Sequence, residues 1–121
     1  NIASLFAHDP APNGGDYTAS KGAVTSLTRL MAIEFGTAQI TCNAIDPGYI
    51  LTPMHEAEVA MQAEARGVTL EDRFAQLRAQ VPLGRHGTAE DVAQAAAWLA
   101  SPESSYVTGV SLAVNGGVSF A

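Results

Sequence analysis

Apolar and small residues at Ser20, Ala23, Val24, Leu27, Leu30, Met31 and Phe35 recur at three- and four-residue steps, the spacing of one helical face. They predict a helix over 16–36, with Asp16 able to cap its start and Gly36 marking its end. Its outward side, probed at Thr28 and Arg29, holds little charge beyond Arg29 and Glu34. So apolar a helix is expected to be covered twice, by a sheet and by a partner chain. Ahead of it, residues 1–4 read as the end of a strand, and Leu5 to Asp16 as a turn-rich loop through Pro10, Pro12, Asn13, Gly14 and Gly15. Behind it, the run 38–45 predicts a buried strand stopped by Asp46-Pro47-Gly48. Residues 54–80 are helical but polar; Gly67 divides them, and Thr69 caps the second part. Thr88 caps a further helix, with Glu90 and Asp91 favoured by the helix dipole and Val92, Ala95, Ala96, Trp98 and Leu99 on its apolar face. Trp98 suits a core or a subunit interface. A last strand, Val110–Val114, runs into the turn Asn115-Gly116-Gly117. There are no internal repeats and no low-complexity stretches.

Composition narrows what such a chain can be. The 121 residues are a one-domain length, and 47% hydrophobic with 15% charged residues describes a globular chain. Twelve acidic against six basic residues, with no Lys/Arg cluster, argue against a nucleic-acid or anionic-membrane surface. Cys42 is the only cysteine, so no intrachain disulfide forms. No apolar run approaches the roughly 20 residues of a membrane span, and the N-terminus lacks a signal pattern. A cytoplasmic protein is the expectation.

The chemistry gathers near the start. Tyr17 and Lys21 stand four residues apart, on one face of the predicted helix. An ammonium beside a phenol favours the phenolate, the property that a general acid or base needs. Ser4 lies thirteen residues before Tyr17, across a loop that can fold back and bring its hydroxyl to the phenol. His8 and Asp9 in that loop are either solvated or face a substrate. His55 likewise reads either as a surface residue or as a substrate contact. His8, His55 and His86 share no metal-like spacing, so no metal site is predicted.

The run N-I-A-S followed by Y-T-A-S-K resembles the short-chain dehydrogenase/reductase family, whose pattern is a strand-end serine and then Tyr-x-x-x-Lys. The stretch from Asn43 to Thr52 is similar to the family's N-x-x-x-P-G-x-[IV]-x-T, and Pro82-Leu83-Gly84-Arg85 to its P-L-G-R hinge. The segment Ser104 to Gly117 follows the family's S-x-x-x-x-[IV]-T-G-x-x-[IL]-x-V-D-G-G, with Asn115 in place of the aspartate. Thr41-Cys42 departs from the Arg-Val often found there. The resemblance implies a doubly wound, parallel-sheet, Rossmann-like α/β fold and an NAD- or NADP-dependent oxidoreductase. It gives catalytic roles to Ser4, Tyr17 and Lys21. Cofactor binding falls to Tyr17 and Lys21 with Pro47, Gly48, Ile50 and Thr52, the last four holding the nicotinamide end. Residues 54–80 become a lid over a small-molecule substrate, which His8, Tyr49, Met54 and His55 would face. Small polyols, diols or sugars and 3-oxoacyl thioesters are the substrate classes implied, and a homotetramer the assembly.

The resemblance reaches nearly every residue, yet matches only the family's C-terminal half. The Gly-rich phosphate loop T-G-x-x-x-G-x-G is absent, as are the ribose-reading residue and the asparagine of the catalytic tetrad. Asn1 is read as structural. Two strands and a stub seldom make a stable sheet, so the chain is expected to be the C-terminal part of a single domain. A reading of another class stays open: a non-catalytic remnant that works through its apolar helices as an assembly module.

Overall fold

The computed structural model describes residues 1–120. Its regular elements are α1 (Gly15–Phe35), β1 (Ala44–Pro47), α2 (Pro53–Arg66), α3 (Leu70–Ala79), α4 (Ala89–Leu99) and β2 (Ser111–Val114). Short 3-10 turns at Leu5–Ala7, Gly36–Ala38 and Pro102–Ser104 join them. The strands β1 and β2 are parallel, Ala44 opposite Ser111 and Pro47 opposite Val114. On the other edge of β1 the chain start lies parallel, through an Ile2–Ile45 bridge, with Ala3 N–H donating to the Ile45 carbonyl at 2.8 Å. Ala44, Ile45 and Asp46 are all buried although successive side chains alternate in direction. Both faces of β1 are therefore covered, and both α1 and α4 pack on it, as in a doubly wound α/β sheet. No helix among the described residues is long and apolar enough to cross a membrane.

Two sequence expectations need correcting here. The strand predicted over 38–45 forms later and shorter, because a ladder needs a partner. Gln39 turns the chain with φ 60°, and the two backbones first meet where Gly109 N–H donates to the Cys42 carbonyl at 2.7 Å, just before the bond from Ala44 N–H to the Val110 carbonyl. Side chains brace this approach: Thr108 Oγ1 accepts from Cys42 N–H, and the Asn43 amide bonds both the Val107 carbonyl and the Val110 N–H. The start of α1 is capped by Gly14 rather than Asp16, which sits inside the first turn and accepts from Tyr17 N–H. Gly36 does mark the end of α1, as its C-cap; it keeps a helical conformation and opens the 3-10 turn, leaving the positive φ to Gln39.

The core stripe of α1 is also different. Thr25, Thr28 and Ala32 are buried, while Leu27, Leu30 and Ile33 are exposed. Thr28 is thus not on the outward face; its hydroxyl bonds the Val24 carbonyl and accepts from the Asn1 amide, each at 2.8 Å. Small, β-branched residues let the helix lie close to the strands. The remaining helices form as their caps dictate. Thr69 caps α3 and Thr88 caps α4 in a full capping box with Asp91. Gly67 ends α2 in the left-handed conformation that its missing Cβ permits.

Candidate active site

The serine, tyrosine and lysine converge at the end of the strands where β1 runs into Pro47-Gly48. Ser4 follows the strand stub directly and is buried; its Oγ caps the Leu5–Ala7 turn by accepting Phe6 N–H at 3.2 Å. Phe6 meets the Tyr17 ring edge-on, centroids 6.4 Å apart, so the serine turn packs against the first turn of α1. The Tyr17 side remains 41% exposed, open to a reactant. One helical turn on, Lys21 Nζ stands 5.6 Å from the Tyr17 ring centroid and donates to the Ile2 carbonyl at 3.2 Å. That bond ties the lysine to the strand carrying Ser4. A cation, a phenol and a hydroxyl on adjoining segments are the kinds of group that proton transfer to a bound oxygen uses.

The second wall is the turn after β1. Gly48 N–H donates to the Val114 carbonyl at 3.1 Å, and a Cβ on Gly48 would lie 2.7 Å from the Asn115 Cβ. Glycine is needed here for the close approach of the Asn115 turn. Beyond it, the Tyr49 carbonyl accepts from Gly87 N–H and Leu51 N–H donates to the Gly87 carbonyl, both at 2.9 Å. With its neighbours turned to Gly87, the N–H and C=O of Ile50 point to the opposite side. A peptide group presented in that way suits a carboxamide, which needs one donor and one acceptor. Thr52 Oγ1 accepts from His55 N–H as the cap of α2, and its O–H stays able to donate. These groups fit the nicotinamide end of a dinucleotide.

The third wall is the α2–α3 pair. Arg73 is buried between the two helices, its guanidinium bonded to Gln62 at 2.7 and 2.9 Å and to Gln76 at 3.1 Å. Where they meet the turn, four rings cluster. Tyr49 stacks on His55 at 5.8 Å, and His86 lies 5.4 Å from His55 and 5.3 Å from Phe74. The Nε2 atoms of His55 and His86 are buried without a partner. Burial pushes the His55 imidazole below its ordinary range, against the pull of Glu58 and Glu56. Burial also lowers His86, helped by the neighbouring His55 and Arg78. Burial raises the Tyr49 phenol. Met54 is 74% exposed, outside this cluster. At the hinge, Arg85 grips Asp91 with bonds of 2.7 and 2.8 Å, which hold that carboxyl well below the carboxylate range.

His8, a candidate substrate contact by sequence, is turned inward: its Nε2 lies 2.9 Å from Asp46 Oδ2. Asp46, Phe74 and His86 are the site residues that sequence reasoning missed. An acid inside the apolar run Ala44-Ile45-Asp46 was a usable signal for the first; nothing in the sequence joins Phe74 to His86. A cavity of about 430 Å³ lies at the other end of the strands, lined by Asn1, Thr41, Cys42 and Ser104 among others. It is remote from Tyr17.

Residues 1–119 match the family model described as enoyl-(acyl carrier protein) reductase. A 3beta-hydroxysteroid dehydrogenase of Eggerthella lenta is 44% identical over 118 residues, 98% of this chain and 42% of that protein. Among solved structures, the 3-ketoacyl-(acyl-carrier-protein) reductase of Brucella melitensis complexed with NADH superposes with a TM-score of 0.80 at 38% identity, covering 99% of this chain and 43% of that one. The sorbitol-6-phosphate 2-dehydrogenase of Erwinia amylovora gives a TM-score of 0.93 at 28% identity, covering 99% and 47%. The chain thus spans about half the length of the proteins it matches.

Proposed function

The chain belongs to the short-chain dehydrogenase/reductase family, and from that premise we propose that it is the C-terminal part of a single-domain NAD- or NADP-dependent oxidoreductase. The reaction is hydride transfer between the nicotinamide and a carbonyl or secondary alcohol. The observation that supports this reading is the docking of the Tyr17–Lys21 turn of α1 on the segment that carries Ser4, through the Phe6–Tyr17 contact and the bond from Lys21 to the Ile2 carbonyl.

The cofactor, when bound, supplies or accepts the hydride. Everything else falls to the chain's own side chains and peptide groups. Ser4 holds the substrate oxygen. Tyr17 gives that oxygen a proton in reduction and takes one back in oxidation. Lys21 stabilises the tyrosinate by its charge and bonds the nicotinamide ribose. Pro47 and Gly48 shape the turn, the Ile50 peptide group binds the carboxamide, and the Thr52 hydroxyl donates beside it. Tyr49 and His55, with Met54 at the lid edge, face the substrate. The substrate classes proposed are a 3-oxoacyl thioester and a small polyol, diol or sugar; relatives carrying each kind of name were found. A homotetramer completes the reading, supported by the exposed apolar side chains of α1 and by Trp98 and Phe120.

The test is turnover by the full-length protein. Mixed with NADH or NADPH and a panel of 3-oxoacyl thioesters and ketoses, it is expected to oxidise one cofactor with at least one of them, followed by nicotinamide absorbance. No cofactor binding by calorimetry and no turnover would favour the other class of reading, an assembly module resting on the same exposed helix.

A further inference from the structure

Asp46 is the least comfortable residue in the fold. It is 2% exposed on a strand whose neighbours Ala44 and Ile45 are equally buried. A carboxylate taken out of water in this way is costly unless paired and hydrogen-bonded. Its Oδ2 is held by His8 Nε2 at 2.9 Å, while Oδ1 is buried and has no partner. Replacing both members of such a buried pair by apolar residues of similar volume is often neutral or stabilising. What the pair joins is therefore informative. Asp46 immediately precedes Pro47-Gly48. His8 closes the Leu5–Ala7 turn, donating its backbone N–H to the Leu5 carbonyl at 3.1 Å, and Ser4 caps the other end of that turn. One side-chain bond thus clamps the serine turn to the nicotinamide turn across thirty-eight positions of sequence.

We infer that His8 and Asp46 are a positioning pair, which fixes Ser4 relative to Tyr17 and the nicotinamide turn. They are not catalytic: the one side-chain hydrogen bond of His8 goes to Asp46, and neither residue bonds Ser4 Oγ or Tyr17. Positioning at this level matters, because a misplacement of about 1 Å at a reacting group can cost on the order of a hundredfold in rate. The inference rests on the functional reading above, which makes Ser4 the holder of the substrate oxygen.

The experiment uses the full-length protein and a double-mutant cycle. His8→Ala is expected to lower kcat by roughly tenfold to a hundredfold, with the cofactor Kd changed less than about threefold. His8→Gln keeps a side-chain N–H donor and is expected to recover part of the loss. In a Ser4→Ala background, His8→Ala should add little, because its effect runs through Ser4. Full additivity of the two losses, or a His8→Ala variant with wild-type kcat, would overturn the proposal. Hydrogen exchange supplies a readout that needs no turnover. Asp46→Ala removes the acceptor and should speed exchange in residues 4–9 and leave 111–114 unchanged; equal exchange in 4–9 would overturn the clamp. A protein without turnover whose 4–9 segment loosens in Asp46→Ala would instead keep the clamp and reject the oxidoreductase reading.

Discussion

Gly48 shows how much a single atom decides in this site. Its missing Cβ lets Asn115 approach to a distance that a methyl group could not share, and its N–H bonds the Val114 carbonyl. Gly48→Ala must push two backbone segments apart, since the Cβ would also stand 2.8 Å from the Asn115 Cα. A cost of roughly 1–3 kcal/mol is expected in denaturant unfolding of the full-length protein, the range for overpacking a tight core. Unchanged stability would mean that the turn has slack. The need for glycine at this turn was legible in the Pro-Gly pair, and Ser4, Tyr17 and Lys21 stand out as candidates by type and spacing. Burial was not. Asp46 read as part of a turn, because sequence gives the residue type but not the side on which the strand closes. Thr28 read as outward for the same reason, since threonine is polar by composition and packs as a small β-branched residue.

The lid makes its prediction at the level of elements. Tyr49, His55, Phe74 and His86 come from the turn, α2, α3 and the hinge, and their rings hold these four segments together. His55 and His86 both favour the neutral form when buried. The closed cluster consequently binds fewer protons than an open one. Its stability is fully present above the ordinary histidine value of 6.5 and is lost as pH falls through it and below. Glu58, 3.8 Å from His55, opposes part of that loss, whereas Arg78 adds to it at His86. Hydrogen exchange of residues 53–80, corrected for intrinsic rates, is expected to quicken between about pH 8 and about pH 5. His55→Phe with His86→Phe should flatten the dependence; an equally steep change in that variant would assign the effect elsewhere. The helices α2 and α3 were legible from Gly67 and Thr69, and α4 from Thr88, because capping is local chemistry. The strand β1 was not, because its length depends on partners far along the chain, at Val110 and at the chain start.

For the whole molecule, the exposed apolar surface is the feature that asks for a partner. Leu27, Leu30 and Ile33 lie on one helix, Ile33 at 78% exposure. A helix placed across a two-fold axis would bury that surface against its own copy. Ile33→Glu in the full-length protein sets a charge against its own image, and light scattering is expected to show the mass fall. A wild-type protein that is monomeric at micromolar concentration would contradict the assembly. The fold class was legible because helix and strand patterns alternate along the chain; the exposed apolar residues of α1 were legible only as a shortage of charge. The most direct measurement remains the rate of Tyr17→Phe in the full-length protein, on the substrate that the wild type turns over. The substitution removes one hydroxyl and leaves the ring that Phe6 packs against. The account predicts a fall in kcat on the order of a hundredfold or more, with cofactor Kd nearly unchanged. A variant that kept the wild-type kcat would contradict proton transfer by Tyr17, and with it the central claim.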